Sequence, residues 1–390
     1  MVFFFIVTII KNYLIIVLNY IIGIVFVRYV IKVWRRSYMK KISLVICIFT
    51  ISMIFTACGD SKDETKEEAT EEVIEESKEK VTEKSSEEDM ENQNRVELDE
   101  PEQVIAFVDS GFEQAIRTYY ELGEGEILWS DIGYQTELEL PEGTTTKTLE
   151  DLKWFVNLEL FKSGKENDIK GDLSDLSNLT QLVNISLWNA EITGDLSSLS
   201  LLKQLKYIRL IETAVTGNIS NLNGLSQLEA INISGIGITG DLSSISDLSQ
   251  LRIFNVWTTG ITGDLSSFSD LSSLEKIYLS ETDISGDLSG LSGLKKLYYF
   301  GETTTGITGD ISGLSELSEL KEIYLVEKEI TGKLSSLSVL SHLEMFDIGR
   351  TGVTGDLSSL KDLSKLTFVM VPETGITGSL TLANGEDISR

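Results

Sequence analysis

The chain has 390 residues, and its 61 Asp and Glu against 33 Lys and Arg give a formal net charge of −28 at pH 7. Such an acidic surface repels phosphate backbones and anionic lipid surfaces, which argues against nucleic acid as a partner. Cys47 and Cys58 both precede the acidic part, so that part has no disulfide framework, and the single histidine, His342, leaves little scope for His-dependent chemistry.

The first 58 residues are basic and apolar, with seven Lys or Arg and no acid. They hold two apolar stretches, residues 2–34 and residues 42–57. The second stretch follows a Lys-Lys pair and ends in small residues before Cys58, which is the layout of a secretory signal. The sequence FTACG at 55–59 resembles a bacterial lipobox, in which the cysteine is lipidated and becomes the mature N-terminus, although Phe55 stands where that motif usually has Leu.

A start at Met39 would make residues 39–58 a complete lipoprotein signal peptide. We therefore interpret residues 1–38 as an upstream extension, the alternative being an extra transmembrane segment, for which they are long enough. Two acyl chains on Cys58 would suffice for stable membrane residence. The resemblance implies a chain lipid-anchored through Cys58 at the extracellular face of the cell membrane of a Gram-positive bacterium.

Residues 59–100 contain 18 acids and 6 bases and hardly any large apolar residue. Such a segment buries too little surface to offset the entropy of ordering, so we expect a disordered acidic tether. A transient Glu/Lys helix is the alternative, and it too would hold the following residues away from the membrane.

Residues 101–168 are predicted to form an N-terminal cap and a degenerate first repeat. Ser110 and Glu113 form a capping-box pattern ahead of a short amphipathic helix that ends near Gly123. Alternation in residues 125–140 favours one or two strands. A repeat-like spacing of apolar residues follows, at Leu149, Leu152, Phe155, Leu158 and Leu160.

A glycine then returns every 23 residues, the mark of a solenoid. The ten positions are Gly171, Gly194, Gly217, Gly240, Gly263, Gly286, Gly309, Gly332, Gly355 and Gly378. The cleanest block reads ITGDLSSLSDLSxLxxIxLxxTx, so residues 169–390 comprise nine full 23-residue repeats and a partial one. One block alone cannot bury enough apolar surface to fold, and stacking removes that deficit.

The blocks resemble leucine-rich repeats: LxxIxLxxT matches the LxxLxLxxN signature, and ITGDLSS resembles the corresponding plant-type segment. The segment before them is similar to the helical N-terminal cap of internalin-like bacterial proteins. The resemblance implies an α/β solenoid in the form of a right-handed superhelix with a small helical N-terminal cap. It further implies a parallel β-sheet on the concave face, short 3-10 or helical turns on the convex face, extra short strands, and a positive φ at the repeating glycine.

Alternation along each main strand places every second side chain on the solvent-facing, concave side. Exposed Trp, Tyr and Arg there are typical of binding hot spots, although strands also favour aromatics for structural reasons. The candidate ligand-binding residues are Trp188, Tyr207, Arg209, Trp257, Lys276, Tyr278, Tyr299, Tyr324, Asp347, Arg350 and Phe368.

Two polar features need separate interpretation. An Asp follows most of the repeating glycines, and we expect it to bond the backbone two residues on rather than to hold calcium, because Lys333 would place a cation in the same column. Glu302 falls where a core Leu is expected, and we interpret it as a local irregularity rather than a polar feature of the site.

No catalytic constellation, phosphate loop, metal-ligand spacing or cofactor motif is recognisable, so the sequence predicts a protein that is not an enzyme. The favoured function is extracellular protein–protein binding or adhesion through the concave face, with a host or bacterial surface protein as partner. Glycan binding by the Trp and Tyr strip is the first alternative, and a structural spacer of the cell envelope is the second.

Overall fold

A computed structural model describes residues 103–390 except positions 165, 236, 327 and 328. The predicted extension 1–38, the predicted signal peptide 39–58 with Cys58, and the predicted tether 59–100 lie outside the described residues. The described residues belong to one compact unit. Within them, no helix combines the length and apolar character needed to cross a bilayer.

Each repeat supplies one strand to an eleven-stranded parallel sheet. A residue pairs with the residue 23 positions on, as Ile253 does with Lys276, except between the second and third strands, where Leu160 pairs with Asn184, 24 positions on. This in-register stacking is what a 23-residue period demands. Strands are numbered along the chain, and those of this large sheet are β1 (Glu137–Leu140), β2 (Leu160–Ser163), β4 (Asn184–Trp188), β6 (Tyr207–Ile211), β8 (Ala230–Ile233), β10 (Ile253–Asn255), β12 (Lys276–Tyr278), β14 (Tyr299–Thr303), β16 (Glu322–Val326), β18 (Met345–Asp347) and β20 (Phe368–Met370).

The expected extra strands are also present. Two short strands, β3 (Lys170–Asp172) and β5 (Glu191–Thr193), pair in parallel. An eight-stranded parallel sheet continues with β7 (Gly217–Asn218), β9 (Ile238–Asp241), β11 (Gly260–Asp264), β13 (Asp283–Asp287), β15 (Gly306–Asp310), β17 (Ile330–Lys333), β19 (Gly352–Asp356) and β21 (Gly375–Thr377). The partial last block ends in an antiparallel hairpin of β22 (Ser379–Thr381) and β23 (Asp387–Ser389), which buries Leu380 and Leu382 against the last turn.

A 3-10 helix follows each short strand from β3 to β19, as the resemblance implied, and one more precedes β2. The 3-10 helices are Glu150–Trp154, Leu173–Leu176, Leu196–Leu199, Ile219–Leu222, Leu242–Ile245, Leu265–Phe268, Leu288–Leu291, Ile311–Leu314, Leu334–Val339 and Leu357–Leu360. Their leucines and isoleucines join the strand leucines in one continuous core.

The repeating glycine has the expected positive φ at nine of its ten positions, from Gly194 to Gly378, and Gly171 is the exception. Gly286 shows why a side chain is not tolerated: its φ is 115°, and a Cβ there would lie 2.7 Å from Oδ2 of Asp264 in the preceding turn. The glycine column therefore sets both the backbone conformation and the close stacking of turns.

The aspartate column caps the 3-10 helices, as expected. Asp264, for example, accepts a 2.9 Å hydrogen bond from the backbone N–H of Ser266. The same bond, 2.8–3.0 Å long, is made by Asp172, Asp195, Asn218, Asp241, Asp287, Asp310 and Asp356. Lys333 stands in the aspartate column but does not cap the 3-10 helix that follows it. Its Nζ instead donates to Thr354 Oγ1 at 2.9 Å.

Threonine hydroxyls make two recurring kinds of hydrogen bond. At four repeats the Thr at the end of LxxIxLxxT donates to the carbonyl three residues earlier in its own repeat, as Thr259 does to Val256 at 2.7 Å. The Thr of the ITG segment donates to the glycine carbonyl of the preceding turn, as Thr262 does to Gly240 at 3.2 Å. Cross-turn tying therefore lies in the ITG segment.

Glu302 occupies a core position, so the expectation of a local irregularity is wrong. Strand β14 stays in register with β16, and Glu302 pairs opposite Leu325. Its side chain is 0% exposed, and Oε2 accepts a 2.6 Å hydrogen bond from Thr305 Oγ1. The neighbouring strands fix the register, because β16 pairs with all five residues of β14 and β12 pairs with its first three.

The N-terminal cap differs from the prediction in two details. The first helix, α1 (Ser110–Tyr119), is capped by Asp109 rather than Ser110, because the Asp109 carboxylate accepts from the N–H groups of Gly111 and Phe112. Glu113 instead pairs with Arg117 at 2.7 Å. Residues 125–140 contain a short helix, α2 (Trp129–Ile132), before β1, so part of the expected strand region is helical.

Candidate functional site: the concave face

We call the side of the large sheet that faces away from the core the concave face, following leucine-rich repeat usage. Two lines of side chains cross it in register. The first line runs through Tyr207, Ala230, Ile253, Lys276, Tyr299, Glu322, Met345 and Phe368, and the second through Arg209, Asn232, Asn255, Tyr278, Gly301, Tyr324, Asp347 and Met370.

Most of the predicted ligand-binding residues lie on this face, but the expectation that they are exposed is wrong for its middle. Tyr278 is only 4% exposed and Tyr299 only 7%. Tyr207, Arg209 and Lys276 are buried to a similar degree. Alternation along a strand determines on which face of the sheet a side chain lies. Large side chains on the neighbouring strands determine how much of its surface is exposed to solvent.

Aromatic and cationic groups account for this burial. The rings of Tyr278 and Tyr299 stack with centroids 4.2 Å apart, and Tyr299 and Tyr324 follow at 5.6 Å. Burial raises the pKa of the Tyr299 and Tyr324 hydroxyls above their ordinary value. The Lys276 ammonium lies 5.2 Å from the ring centroid of Tyr298.

At the N-terminal side, Trp188 and Arg209 form a unit of their own. The Arg209 guanidinium carbon lies 3.9 Å from the Trp188 ring centroid, a cation–π contact. One face of this half-buried indole is thereby covered.

A ladder of alternating charges runs along the margin of the face, one residue before the first line. Arg252 pairs with Glu275 through two contacts of 2.9 Å and approaches Glu229 at 4.0 Å. Lys206 lies 3.4 Å from Glu229, which also accepts a 2.9 Å bond from the Tyr207 hydroxyl. This ladder was not predicted, although aligned repeats show the alternation of Lys206, Glu229, Arg252 and Glu275 in the sequence.

The C-terminal end of the face is the open part. We define the C-terminal concave patch as Glu322 and Tyr324 on β16, Met345 and Asp347 on β18, and Phe368 and Met370 on β20. Phe368 is 40% exposed and Met370 39% exposed, whereas the other four are half-buried. Sequence reasoning identified Tyr324, Asp347 and Phe368 for the site and missed Glu322, which lies in the first line two strands after Lys276.

Both acids of the patch have raised pKa values. Burial is the main cause for Glu322, opposed by a bond from the Tyr324 hydroxyl to Glu322 Oε2 at 3.4 Å and by the charge of Lys276. Burial likewise raises the pKa of Asp347, opposed by a 2.9 Å bond from the backbone N–H of Gly349 and by the charge of Arg350. The patch therefore holds two partly desolvated carboxyl groups.

Two predicted residues lie at the edge of the site. Trp257 is half-buried and follows the end of β10. Arg350 belongs to the turn after β18, with a φ of 58°, so its assignment to the strand face is wrong. Its Nε lies 3.9 Å from Glu373 Oε1.

Solved structures similar to this one are leucine-rich repeat proteins. An internalin of Listeria monocytogenes, InlF, is 27% identical with a TM-score of 0.60, over 70% of this chain and 77% of that chain. The functional domain of Listeria monocytogenes InlJ is 15% identical with a TM-score of 0.56, over 70% and 66% of the two chains. The ectodomain of the Arabidopsis thaliana receptor kinase GASSHO1/SCHENGEN3, in complex with CASPARIAN STRIP INTEGRITY FACTOR 2, is 20% identical with a TM-score of 0.52, over 67% and 34%.

No protein-family model matches the sequence, and no curated protein matches it. The stacked parallel strands and the structural matches together define a leucine-rich repeat solenoid. Within that class, the likeness to InlF makes this an internalin-like leucine-rich repeat protein.

Proposed function

We propose that this protein is held at the outer surface of a Gram-positive bacterium and binds an extracellular protein through its concave face, without catalysing a reaction. Solenoids of stacked repeats present extended concave surfaces for binding. The observation that carries the proposal is the exposure of Phe368 and Met370 beside half-buried Tyr324. Apolar side chains exposed together on an otherwise closed face are typical of protein interaction sites.

The aromatic contacts favour a protein over a carbohydrate as the ligand. Sugar rings stack on free aromatic faces, whereas Tyr278 and Tyr299 stack on one another and Arg209 covers Trp188. The exposed groups at the C-terminal end are one Phe and one Met, which suit an apolar side chain of a partner protein.

The binding proposal is tested by selecting partners of the full chain from a yeast-displayed library of extracellular protein domains. In a double variant, Phe368→Ala and Met370→Ala, we expect selected partners to lose roughly tenfold or more in affinity. The matched control, Leu201→Ala and Val339→Ala, removes two exposed apolar side chains near the 3-10 helices and is expected to leave affinity unchanged. Loss in the control alone, or in neither variant, would contradict a concave binding site.

We further propose that Cys58 carries the lipid anchor and that residues 59–100 act as a spacer. The support is the resemblance of residues 39–58 to a lipoprotein signal, since this part lies outside the described residues. Metabolic labelling with palmitate tests it: Cys58→Ser is expected to abolish labelling. Cys47→Ser is the matched control, because Cys47 lies within the apolar run of the signal and would be removed with it. Label retained in Cys58→Ser rules out this anchor.

A further inference from the structure

We propose that the C-terminal concave patch recognises a cationic segment of the partner protein, with a Lys or Arg side chain between Glu322 and Asp347 and an adjacent apolar side chain on Phe368 and Met370. This inference rests on the proposed function and assigns the chemistry of the partner.

Strand register sets the spacing of the patch. Glu322, Met345 and Phe368 are register partners in one line, and Tyr324, Asp347 and Met370 are partners in the next. Neighbouring strands lie about 4.8 Å apart, and alternate residues of one strand lie roughly 7 Å apart. The two acids therefore occupy diagonal positions, each with apolar or aromatic neighbours in its own line and on its own strand. A single long cationic side chain can reach both acids.

The charges around the patch leave both acids available to a ligand cation. Among the described residues, neither Glu322 nor Asp347 has a basic group within 4.0 Å. Lys276 lies two strands from Glu322, with its ammonium 5.2 Å from the ring centroid of Tyr298. The Lys321 ammonium lies 5.7 Å from the same centroid, and Arg350 approaches Glu373. Glu344, on the margin, adds a further negative charge near Glu322.

Because the carboxylates of Glu322 and Asp347 are partly buried, a cationic ligand complements the patch. A half-buried carboxylate has lost part of its hydration in the free protein, and an incoming Lys or Arg offsets the free-energy cost of that loss. An anionic ligand would add repulsion from Glu322, Asp347 and Glu344. The net charge of −28 also attracts cationic partners at long range, so the proposal needs a test that separates the patch from the overall charge.

Exposure explains why recognition is assigned to this end of the face. The tyrosines in the middle are already covered by one another, so a partner gains little there by removing apolar surface from water. Phe368 and Met370, on the last strand of the large sheet, still present about two-fifths of their surface to solvent. Charge complementarity and free apolar area therefore coincide in one place.

The test uses the full chain and fluorescein-labelled 12-residue Gly/Ser peptides that carry two Lys and two Leu at alternating positions. Matched peptides carry Glu for Lys, or Ser for Leu. Binding is measured by fluorescence anisotropy near physiological ionic strength, where long-range attraction is screened beyond about 8 Å. We expect the Lys/Leu peptide to bind and both matched peptides to bind at least roughly tenfold more weakly.

Two double variants with the same change in net charge separate the patch from the background. Glu322→Gln with Asp347→Asn is expected to weaken Lys/Leu peptide binding roughly tenfold, whereas Asp247→Asn with Asp270→Asn, at exposed positions beyond the 3-10 helices, is expected to change it less than twofold. Circular dichroism melts verify that both variants fold. Equal losses in the two variants, or equal binding of the Glu-containing peptide, would overturn the proposal.

The same variants separate this inference from the proposed function. If selected partner domains lose affinity in the Phe368 and Met370 variant but not in the Glu322 and Asp347 variant, the concave site stands and cation recognition is wrong. If neither variant affects them, the concave site itself is wrong.

Discussion

Replacing Glu302 with Leu is expected to stabilise the protein substantially. Glu302 is fully buried at a position where the adjacent repeats have Leu279 and Leu325, themselves fully buried. Removing a buried polar group gains about 1–3 kcal/mol. Burying a leucine side chain in its place contributes about 2 kcal/mol. Loss of the bond from Thr305 costs about 1 kcal/mol, so the expected net gain is about 2–4 kcal/mol.

Thr305 limits that loss because its hydroxyl can turn to the backbone carbonyl of residue 302. Thr259 and Thr282 make this bond to the carbonyl three residues earlier, each at 2.7 Å. The assay is urea unfolding at pH 7 followed by far-UV circular dichroism. Glu302→Gln, which keeps the shape and a polar group, should stay within about 1 kcal/mol of the wild type. The reciprocal change Leu279→Glu should destabilise strongly.

A Glu302→Leu protein that unfolds at lower urea than the wild type would refute this reasoning. It would mean that the carboxyl group makes a net favourable contribution to the core of this repeat.

Three further predictions concern the repeating columns. Lys333→Asn should raise the free energy of unfolding by about 0.5–1 kcal/mol in urea titrations, because Asn218 already caps its 3-10 helix in this column; an unchanged midpoint would contradict the capping argument. Gly286→Ala should cost about 1–3 kcal/mol from backbone strain alone, whereas Gly125→Ala, with no atom within 4 Å of the added Cβ, should be nearly neutral; equal effects would be evidence against the glycine's role. Hydrogen bonds from the hydroxyl and backbone N–H of the serine two residues on lower the pKa of the capping aspartates. These aspartates therefore stabilise the folded protein fully above the unfolded-state pKa of about 3.9, and this contribution is lost as the pH falls through their lower folded-state pKa values. Glu322 and Asp347 have raised pKa values in the folded protein, so their contribution to stability increases as the pH falls. The melting temperature should therefore fall between about pH 4 and pH 2, and less so in Asp264→Asn with Asp287→Asn; a melting temperature that is constant over this range would contradict the linkage.

The architecture follows closely from the sequence because each 23-residue block places the same residue types at the same strand, turn and 3-10 helix positions. The aspartate caps were predicted from local chemistry, and the positive φ of the glycine column was implied by the resemblance to leucine-rich repeats. Glu302 was misjudged because a polar residue in a core column suggests a broken pattern, whereas pairing on both sides of β14 holds the register.

The candidate site was predicted less well, for a physical reason. Alternation assigns Tyr278 and Tyr299 to the correct face but says nothing about their mutual stacking, which depends on which rings meet across strands. Arg350 was misplaced because the strand ends three residues before it, at Asp347, and the chain turns with a positive φ. The short helix at Trp129–Ile132 was missed, although Asp131 caps it locally. The Asp131 carboxylate accepts a 2.7 Å hydrogen bond from the backbone N–H of Leu128.

The most direct test of the account is site-specific photo-cross-linking at the cell surface. A benzoylphenylalanine placed at Phe368 or Tyr324 should cross-link to the extracellular partner, whereas the same group at Leu201 or Val339 should not. Cross-links that form from Leu201 and Val339 while Phe368 and Tyr324 give none would contradict the claim that this protein binds through the C-terminal end of its concave face.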